Sequence, residues 1–279
     1  MHVDPFESAV DAVIAGDLDG LASQLQARPD LVRDRSSRPH HSTLLHYLAA
    51  NGVEDEHQVS PPNAAAVARQ LLAAGADPNA LADMYDDRYD TLCMLVSSTP
   101  PALAGVQVPL VHALVNGGAS VEPHGHGLWT SPLVTALAFG FLDAAQALVQ
   151  RGARVETLPA AAGLGLVDLT ERLLPLASDD DRHRALAFAA QLGQLDIVRL
   201  LLDAGEDPNR FNPKGAHAHS TPLHQAAGAG HLAVVRLLVE RGARLEVRDT
   251  IHSGTPLGWA EYGGRTEVAR YLAAGSNDH

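Results

Sequence analysis

Histidine is the residue type whose positions in this chain most suggest chemistry. Four of them, His217, His219, His224 and His231, lie within the stretch "KGAHAHSTPLHQAAGAGH" at 214–231. Clustered imidazoles ligate metal ions or transfer protons near neutral pH. The stretch therefore predicts either a functional site or a set of structural side chains, and the surrounding pattern separates the two.

The surrounding sequence is repetitive. The segment "STPLHQAAGAGHLAVVRLLVERGARLEVRD" at 220–249 is matched by "GTPLGWAEYGGRTEVARYLAAGS" at 254–276. In both, a threonine can cap a first helix, a proline suits its first turn, and glycines can end the helices. Both segments resemble the ankyrin repeat. Further copies start at or near Thr43, Thr91, Ser131, Glu156 and Arg184.

The resemblance implies an all-α ankyrin-repeat solenoid of about eight helix–turn–helix units with elongated hairpin fingers. It also implies a single domain over 1–279, with an N-terminal capping unit at 5–36, a shortened unit near 156–178 and a C-terminal capping unit at 254–275. The N-terminal half, with "TLLHYLAANGVE", is similar to a bacterial subgroup of these proteins, which suggests a bacterial source.

Composition argues against several classes of function. The formal net charge is −13, so nucleic-acid phosphates are repelled, and the single cysteine, Cys93, allows no intramolecular disulfide. Residues 91–121 carry no Asp, Glu, Lys or Arg, but their prolines predict two buried helices instead of a membrane span. The sequence shows neither a nucleotide-binding glycine loop nor a nucleophile motif. Without a secretory signal, the protein is expected in the cytoplasm.

In the family that the sequence resembles, hairpins and first helices form a concave groove that binds partners. Counting four, seven and eight residues from each anchor predicts groove positions at Tyr47, Asn51, Thr135, Phe139, Phe188, Gln191, Gln225, Trp259 and Tyr262. The hairpins add Tyr85, Asp86, Arg88, Tyr89, Trp129 and Phe211. Aromatic enrichment on one face predicts a binding surface, although such rings also fill gaps beside small alanines.

The histidines divide by the same register. His46 and His224 occupy the T-P-L-H position, where the resemblance implies a hydrogen bond between neighbouring hairpins, and His231 is a turn residue of the scaffold. His57 and His183 are expected on the solvated surface. Seven others precede an anchor residue and fall in hairpins: His40, His41, His124, His126, His217, His219 and His252.

These seven side chains have two interpretations, as solvated or partner-contacting tips, or as a rim for metal ligation or proton transfer. Under the second, His124, His126, His217 and His219 are the candidate metal ligands. The candidate acid/base groups are Tyr89, Asp90, His126, His219 and His252.

Two functions follow from these patterns. The leading hypothesis is a binding scaffold that recognises a protein partner with a basic patch through an aromatic, acidic concave groove. The alternative is an enzyme or small-molecule binder, such as an acid/base hydrolase, lyase or isomerase, possibly metal-assisted. No cofactor is expected, a divalent metal is left open, and neither nucleic acid nor membrane is an expected partner.

Overall fold

The computed structural model describes residues 4–125, 127 and 129–275. The chain divides into two compact units, residues 1–154 and 155–279, each described here by itself. Predicted site residue His126 lies outside the described residues. The single domain over 1–279 stays a prediction.

The first unit is built from consecutive helix pairs, with one β-hairpin before the third pair. Short 3-10 turns follow α2 and precede α4, at Pro29–Val32 and Asp55–His57. Its regular elements are α1 (Pro5–Ala15), α2 (Leu18–Ala27), α3 (Leu44–Ala49), α4 (Ala64–Ala73), β1 (Leu81–Met84), β2 (Asp87–Asp90), α5 (Thr91–Leu95), α6 (Thr99–Leu103), α7 (Gln107–Asn116), α8 (Pro132–Ala138) and α9 (Leu142–Gln150).

The second unit continues the pairing around one apolar core, formed where the helices pack on one another. A 3-10 turn at Leu174–Leu176 follows its second helix. The helices are α10 (Leu158–Gly163), α11 (Val167–Leu173), α12 (Asp179–Gln191), α13 (Leu195–Asp203), α14 (Pro222–Ala229), α15 (Leu232–Glu240), α16 (Pro256–Tyr262) and α17 (Thr266–Gly275). The segment predicted as a shortened unit holds α10 and α11, of 6 and 7 residues.

Local chemistry sets the ends of these helices. In α14, Thr221 is the cap, Pro222 begins the first turn, and Gly230 ends the helix in the left-handed region at φ 94°. Gly242 follows α15 at φ 87°. A side chain is disfavoured at such φ values, so glycine ends both helices of the pair as the sequence predicts.

The T-P-L-H histidines join neighbouring hairpins, as predicted. His224 Nδ1 accepts from Thr221 N–H at 3.2 Å and lies 2.8 Å from Thr221 Oγ1, so Nε2 carries the proton and donates to Gly254 O at 3.2 Å. His46 makes the same set of contacts, with Thr43 and with Tyr89 O at 3.2 Å. Each ring therefore caps its own helix and holds the next hairpin.

A second link uses the asparagine of the "DPN" sequence. Asn209 Nδ2 donates to Gly242 O at 2.9 Å, and its Oδ1 accepts from Arg244 N at 2.8 Å. Asn79 makes the corresponding pair with Gly118 O and Ser120 N in the first unit. Since both amide groups face backbone of the following pair, these asparagines fix the spacing between successive pairs.

The structure differs from the sequence-based expectation in two elements. The fold is mostly helical, but one of the predicted elongated hairpin fingers contains two short antiparallel strands, β1 and β2, which an all-α fold does not include. Segment 91–121 contains three helices instead of two, since Pro100 and Pro101 lie in the first turn of the extra helix α6. Along the described parts of the chain, none of the helices has the length and apolar character needed to cross a bilayer.

The buried histidines predict a pH-dependent stability. Burial lowers the pKa of His46 from 6.5 to about 4. In the unfolded chain the ring protonates near its ordinary value, so its contribution is complete above about pH 6.5 and is lost as the pH falls towards about 4. We expect the free energy of unfolding of His46→Gln, from chemical denaturation, to decline less steeply than wild type between about pH 7 and 4.5. His252→Gln, at an exposed ring, is the control; parallel curves for wild type and His46→Gln would refute the assignment.

Candidate functional site

The β1–β2 hairpin forms a finger whose tip carries two strained residues. Leu81 lies opposite Asp90 and Met84 opposite Asp87. The tip residues Tyr85 and Asp86 have φ values of 52° and 63°. Such a two-residue turn is adopted most easily by Asn-Gly, and left-handed backbone costs a residue such as Tyr85 about 1–2 kcal/mol and costs Asp less. Tyr85 and Asp86 therefore occupy positions where other residues would give a more stable turn.

The finger lines one side of a cleft of about 760 Å³ within the first unit. Residues 39–40 and 52–54 line the rest. The titratable side chains of the lining are His40, Glu54, Asp83, Tyr85, Asp86, Asp87 and Arg88. Four carboxylates thus share the cleft with one guanidinium, and this volume is typical of ligand-binding pockets.

Two of the four carboxylates that line the cleft have a cationic partner, because Glu54 pairs with Arg38 and Asp83 pairs with Arg88. Arg88 Nε lies 3.4 Å from Asp83 Oδ1, and His41 Nδ1 lies 2.8 Å from Asp83 Oδ2. The hydrogen bond from His41 holds the pKa of Asp83 below its ordinary value. Asp86 and Asp87 remain exposed beside this group, so the cleft presents net negative charge.

Glu54 lies in the cleft wall between two imidazoles. Its Oε1 is 2.8 Å from His40 Nε2 and 2.9 Å from Arg38 Nη1, and its Oε2 is 2.9 Å from His57 Nδ1. Burial raises the pKa of Glu54, but the hydrogen bonds from His40 and His57 outweigh burial and lower it to about 2. The carboxylate therefore joins the hairpin before α3 to the insertion after it.

Sequence reasoning missed this carboxylate. It assigned His57 to the solvated surface, whereas the His57 side chain is only 13% exposed against Glu54. His183 is also corrected, because it is fully buried between Glu206 and Arg210 O. The available signal for Glu54 was the inserted acidic stretch "VEDEHQVSPP", which lengthens the turn of its unit.

The prediction that the fourth residue after each anchor is displayed in the groove is wrong. Tyr47, Phe188 and Gln225 are buried, and Trp259 is half-buried. The Tyr47 ring packs edge-on to Phe6 of α1 at 6.3 Å, and a Cβ on Gly228 of α14 would lie 3.2 Å from Trp259. The position faces the first helix of the preceding pair, so its side chain fills that interface.

Exposed aromatic side chains lie instead at later helix positions and in loops. Tyr262, seven residues after its cap, is 97% exposed, and Phe139, eight residues after its cap, is 36% exposed. Trp129 packs edge-on to Phe139, with centroids 5.2 Å apart. Tyr85 at the finger tip is 65% exposed and Phe211 is 37% exposed. These rings expose part of their surface, and Tyr85 and Tyr262 expose the most.

The third helix pair begins one residue before its predicted anchor. Asp90, not Thr91, is the cap, because Asp90 Oδ1 accepts from Cys93 N at 2.7 Å. Cys93 therefore occupies the position that His46 and His224 hold in their own units. Burial raises the pKa of the Cys93 thiol.

His124 reaches back to this cap from the next hairpin. Its Nδ1 lies 2.9 Å from Asp90 Oδ2, and Nε2 lies 3.3 Å from Arg88 O. The Asp90 carboxylate raises the pKa of His124. Asp90, Cys93 and His124 each offer one metal-ligating atom, and these three atoms lie within 4.8 Å of one another.

Asp249 organises the last hairpin of the second unit. Its carboxylate accepts from the backbone N–H of Ile251, His252 and Gly254 at 3.0, 2.6 and 2.8 Å, and from Trp259 Nε1 at 3.0 Å. Burial opposes its ionisation, but these hydrogen bonds lower the pKa of Asp249. Sequence reasoning did not identify this residue.

The "HAH" histidines pack against the same hairpin. The rings of His217 and His219 are 5.9 Å apart and edge-on, and His219 lies 5.7 Å from the Trp259 ring. His219 O accepts from Thr250 N at 2.9 Å. These contacts give His217 and His219 a packing role within the second unit.

Four of the five residues predicted for acid/base chemistry lie among the described residues, two in each unit. Tyr89 is buried, and Asp90 caps α5 and pairs with His124 in the first unit. His219 and His252 belong to the second unit, where His219 packs on Trp259 and His252 is exposed. Of the predicted metal ligands, His124 pairs with Asp90, whereas His217 and His219 contact each other.

Consecutive helix pairs, glycine-ended and joined by buried histidines, define a helical-repeat protein. Residues 211–279 match the family model described as "Ankyrin repeats (3 copies)", and residues 181–213 match "Ankyrin repeat". The human protein "Cyclin-dependent kinase 4 inhibitor B" is 33% identical over 131 residues, which are 46% of this chain and 92% of that protein. The chain therefore belongs to the ankyrin-repeat family.

Two larger relatives match only in part. "Ankyrin repeat and SAM domain-containing protein 6" of Mus musculus is 37% identical over 111 residues, and this match covers 38% of the chain and 12% of that protein. "Ankyrin repeat and KH domain-containing protein mask-1" of Caenorhabditis elegans is 28% identical over 220 residues, 76% of the chain and 8% of that protein. These relatives are eukaryotic and give no support to the bacterial subgroup.

Glu54 is expected to hold its neighbourhood together. Replacing it by Gln removes the charge that pairs with Arg38 and that accepts hydrogen bonds from His40 and His57, so Glu54→Gln should lower the free energy of unfolding by about 2 kcal/mol. Chemical denaturation at neutral pH measures the change. Glu56→Gln, on an exposed side chain of the same turn, should change it by less than about 0.5 kcal/mol; equal effects of the two substitutions would show that the network is not stabilising.

The finger tip predicts a stabilising substitution. Asp86→Gly relieves a left-handed residue and should raise the free energy of unfolding by about 0.5–1 kcal/mol. Asp87→Gly, one residue later in β2 and without positive φ, should lower it. Denaturation curves of both variants test the turn geometry, and destabilisation by Asp86→Gly would contradict it.

Proposed function

We propose that this protein is a binding scaffold whose first unit holds a basic segment of a protein partner in the acidic cleft. The observation that carries the proposal is the finger tip. It retains Tyr85 and Asp86 in left-handed backbone beside a cleft lined by four carboxylates. A turn selected for stability alone favours Asn-Gly, so the side chains at the tip point to recognition.

Hydrogen bonds fix the orientation of the Tyr85 side chain while its ring stays exposed. Its hydroxyl donates to Asn51 Oδ1 at 2.6 Å, and Asn51 Nδ2 donates to Ser97 Oγ at 2.8 Å. The ring is nevertheless 65% exposed. An aromatic ring fixed in this way loses little conformational entropy on binding, which is the property of residues that dominate interface energies.

The charge of the cleft indicates the chemistry of the segment. Asp86 and Asp87 are exposed, and Glu54 stays ionised because its pKa is about 2. Lysine or arginine side chains complement such a surface and are steered to it, more strongly at low salt. The open walls of the cleft suit an extended peptide segment better than an enclosed small molecule.

The family supports a protein partner. Relatives of this chain include a protein whose name describes the inhibition of a cyclin-dependent kinase, and such an inhibitor acts on another protein. We also propose that the helix pairs count as eight repeat units, the third enlarged by α6 and by the finger. A cytoplasmic location remains a prediction.

A displayed peptide library provides the probe for a partner that is not identified. Peptides selected on the full chain should be rich in Lys and Arg, and their affinity, measured by calorimetry, should fall about tenfold in Tyr85→Ala and in Asp86→Asn/Asp87→Asn. Affinity should also fall as salt is raised.

Two matched variants control for aromatic loss and for net charge. Tyr262→Ala removes an exposed ring from the second unit, and Asp55→Asn/Glu56→Gln removes two exposed charges that do not line the cleft. Both should bind the selected peptides as wild type does. Selected peptides without basic residues, or equal affinity for cleft and control variants, would overturn the proposal.

A further inference from the structure

The Asp90, Cys93 and His124 cluster combines three kinds of metal donor in one buried place. A carboxylate oxygen, a thiol sulfur and an imidazole nitrogen lie within 4.8 Å of one another. Zinc accepts all three donor types, and sites with three protein ligands keep a fourth position open. We propose that these three side chains bind Zn²⁺ in the first unit.

The spacing suits a tetrahedral ion. Zinc bonds of about 2.0–2.3 Å place neighbouring ligand atoms about 3.3–3.8 Å apart. The upper limit of 4.8 Å among the three donor atoms requires only small side-chain movements to reach this spacing. His124 Nδ1 and Asp90 Oδ2, now 2.9 Å apart, would separate by a few tenths of an ångström.

The orientation of His124 is that of a metal ligand with an outer hydrogen bond. Its Nε2 lies 3.3 Å from Arg88 O, which can accept a hydrogen bond from an Nε2–H group and leave the Nδ1 lone pair for the ion. Nδ1 is buried, and despite its proximity to Asp90 Oδ2 it has no hydrogen bond of good geometry. A buried ring nitrogen without such a bond is the atom that a cation would satisfy.

Charge also favours a dication here. Ionised Asp90 and the Cys93 thiolate together neutralise Zn²⁺, which matters because both side chains are almost completely buried. Binding releases the Cys93 thiol proton, together with the imidazolium proton wherever His124 is charged. The fourth coordination position would hold water or one further ligand.

The position in the fold gives the ion a structural consequence. Cys93 stands where His46 and His224 link their helices to the next hairpin, and His124 belongs to the hairpin that follows α7. Zinc joined to both side chains would connect the start of α5 to that hairpin. Metal binding should therefore raise the unfolding temperature of the chain.

Cobalt titration of the metal-stripped full chain tests the site directly. Wild type should bind one equivalent of Co²⁺ with a thiolate-to-metal charge-transfer band in the near ultraviolet, and Zn²⁺ should displace it. Cys93→Ala should lose the band, His124→Gln should bind Co²⁺ at least about tenfold more weakly, and His217→Gln should match wild type.

Thermal unfolding with and without Zn²⁺ provides the second measurement. Wild type and His217→Gln should gain unfolding temperature, whereas Cys93→Ala and His124→Gln should not. Circular dichroism confirms that the variants fold; if Cys93→Ala does not, His124→Gln carries the comparison. Absence of the charge-transfer band in wild type, or an equal zinc shift in wild type and His124→Gln, would overturn the proposal.

Discussion

A buried, uncharged histidine is the interaction on which the order of these helix pairs depends. His224 accepts a hydrogen bond at Nδ1 from its own helix cap and donates from Nε2 to Gly254 O in the next hairpin. Only the neutral ring can do both, and burial keeps it neutral by lowering its pKa. One side chain therefore couples the start of a helix to the placement of the following hairpin.

This coupling explains how the first unit supports its strained finger. His46 makes the same link to Tyr89 O, which lies in β2 next to the cap of α5. Asp83 N donates to His40 O at 2.8 Å and holds the other strand. Both strands are hydrogen-bonded to the preceding helix pair. The tip residues can therefore keep a left-handed backbone of high conformational energy while the strands stay paired.

The scaffold was predictable from the sequence because the residue type at each recurring position of the repeat is explained by local chemistry. Thr221 caps, Pro222 lacks a donor that the first turn does not need, and Gly230 adopts positive φ. Glu54 and Asp249 were not predictable in this way. The partners of Glu54 come from irregular segments before and after α3, and Asp249 bonds to Trp259 at a helix position whose side chain differs between repeat copies, so the shared pattern does not indicate either contact.

Errors in the predicted site have the same origin. Counting from the anchor placed all four of these rings on one surface, whereas Phe139 and Tyr262 are exposed and Tyr47 and Phe188 are buried. Counting positions within one helix pair does not indicate how closely the preceding helix pair packs against it. In the third helix pair, the predicted anchor Thr91 lies one residue after the cap. The cap is Asp90, which is identified by the hydrogen bond that its side chain accepts from the backbone of Cys93.

Two tyrosines illustrate the difference between a buried residue of the repeat framework and an exposed residue of the finger. Tyr47 lies on a first helix against Phe6, fully buried, and burial raises its pKa to about 12. Tyr85 lies in the β1–β2 finger, which is longer than the ordinary hairpin of the repeat and is hydrogen-bonded at its base. Its ring is exposed. Residues of the first kind are constrained by both neighbouring helix pairs. A residue of the second kind can be replaced while the histidine links remain, so repeat units that share one framework can differ in the surface they present.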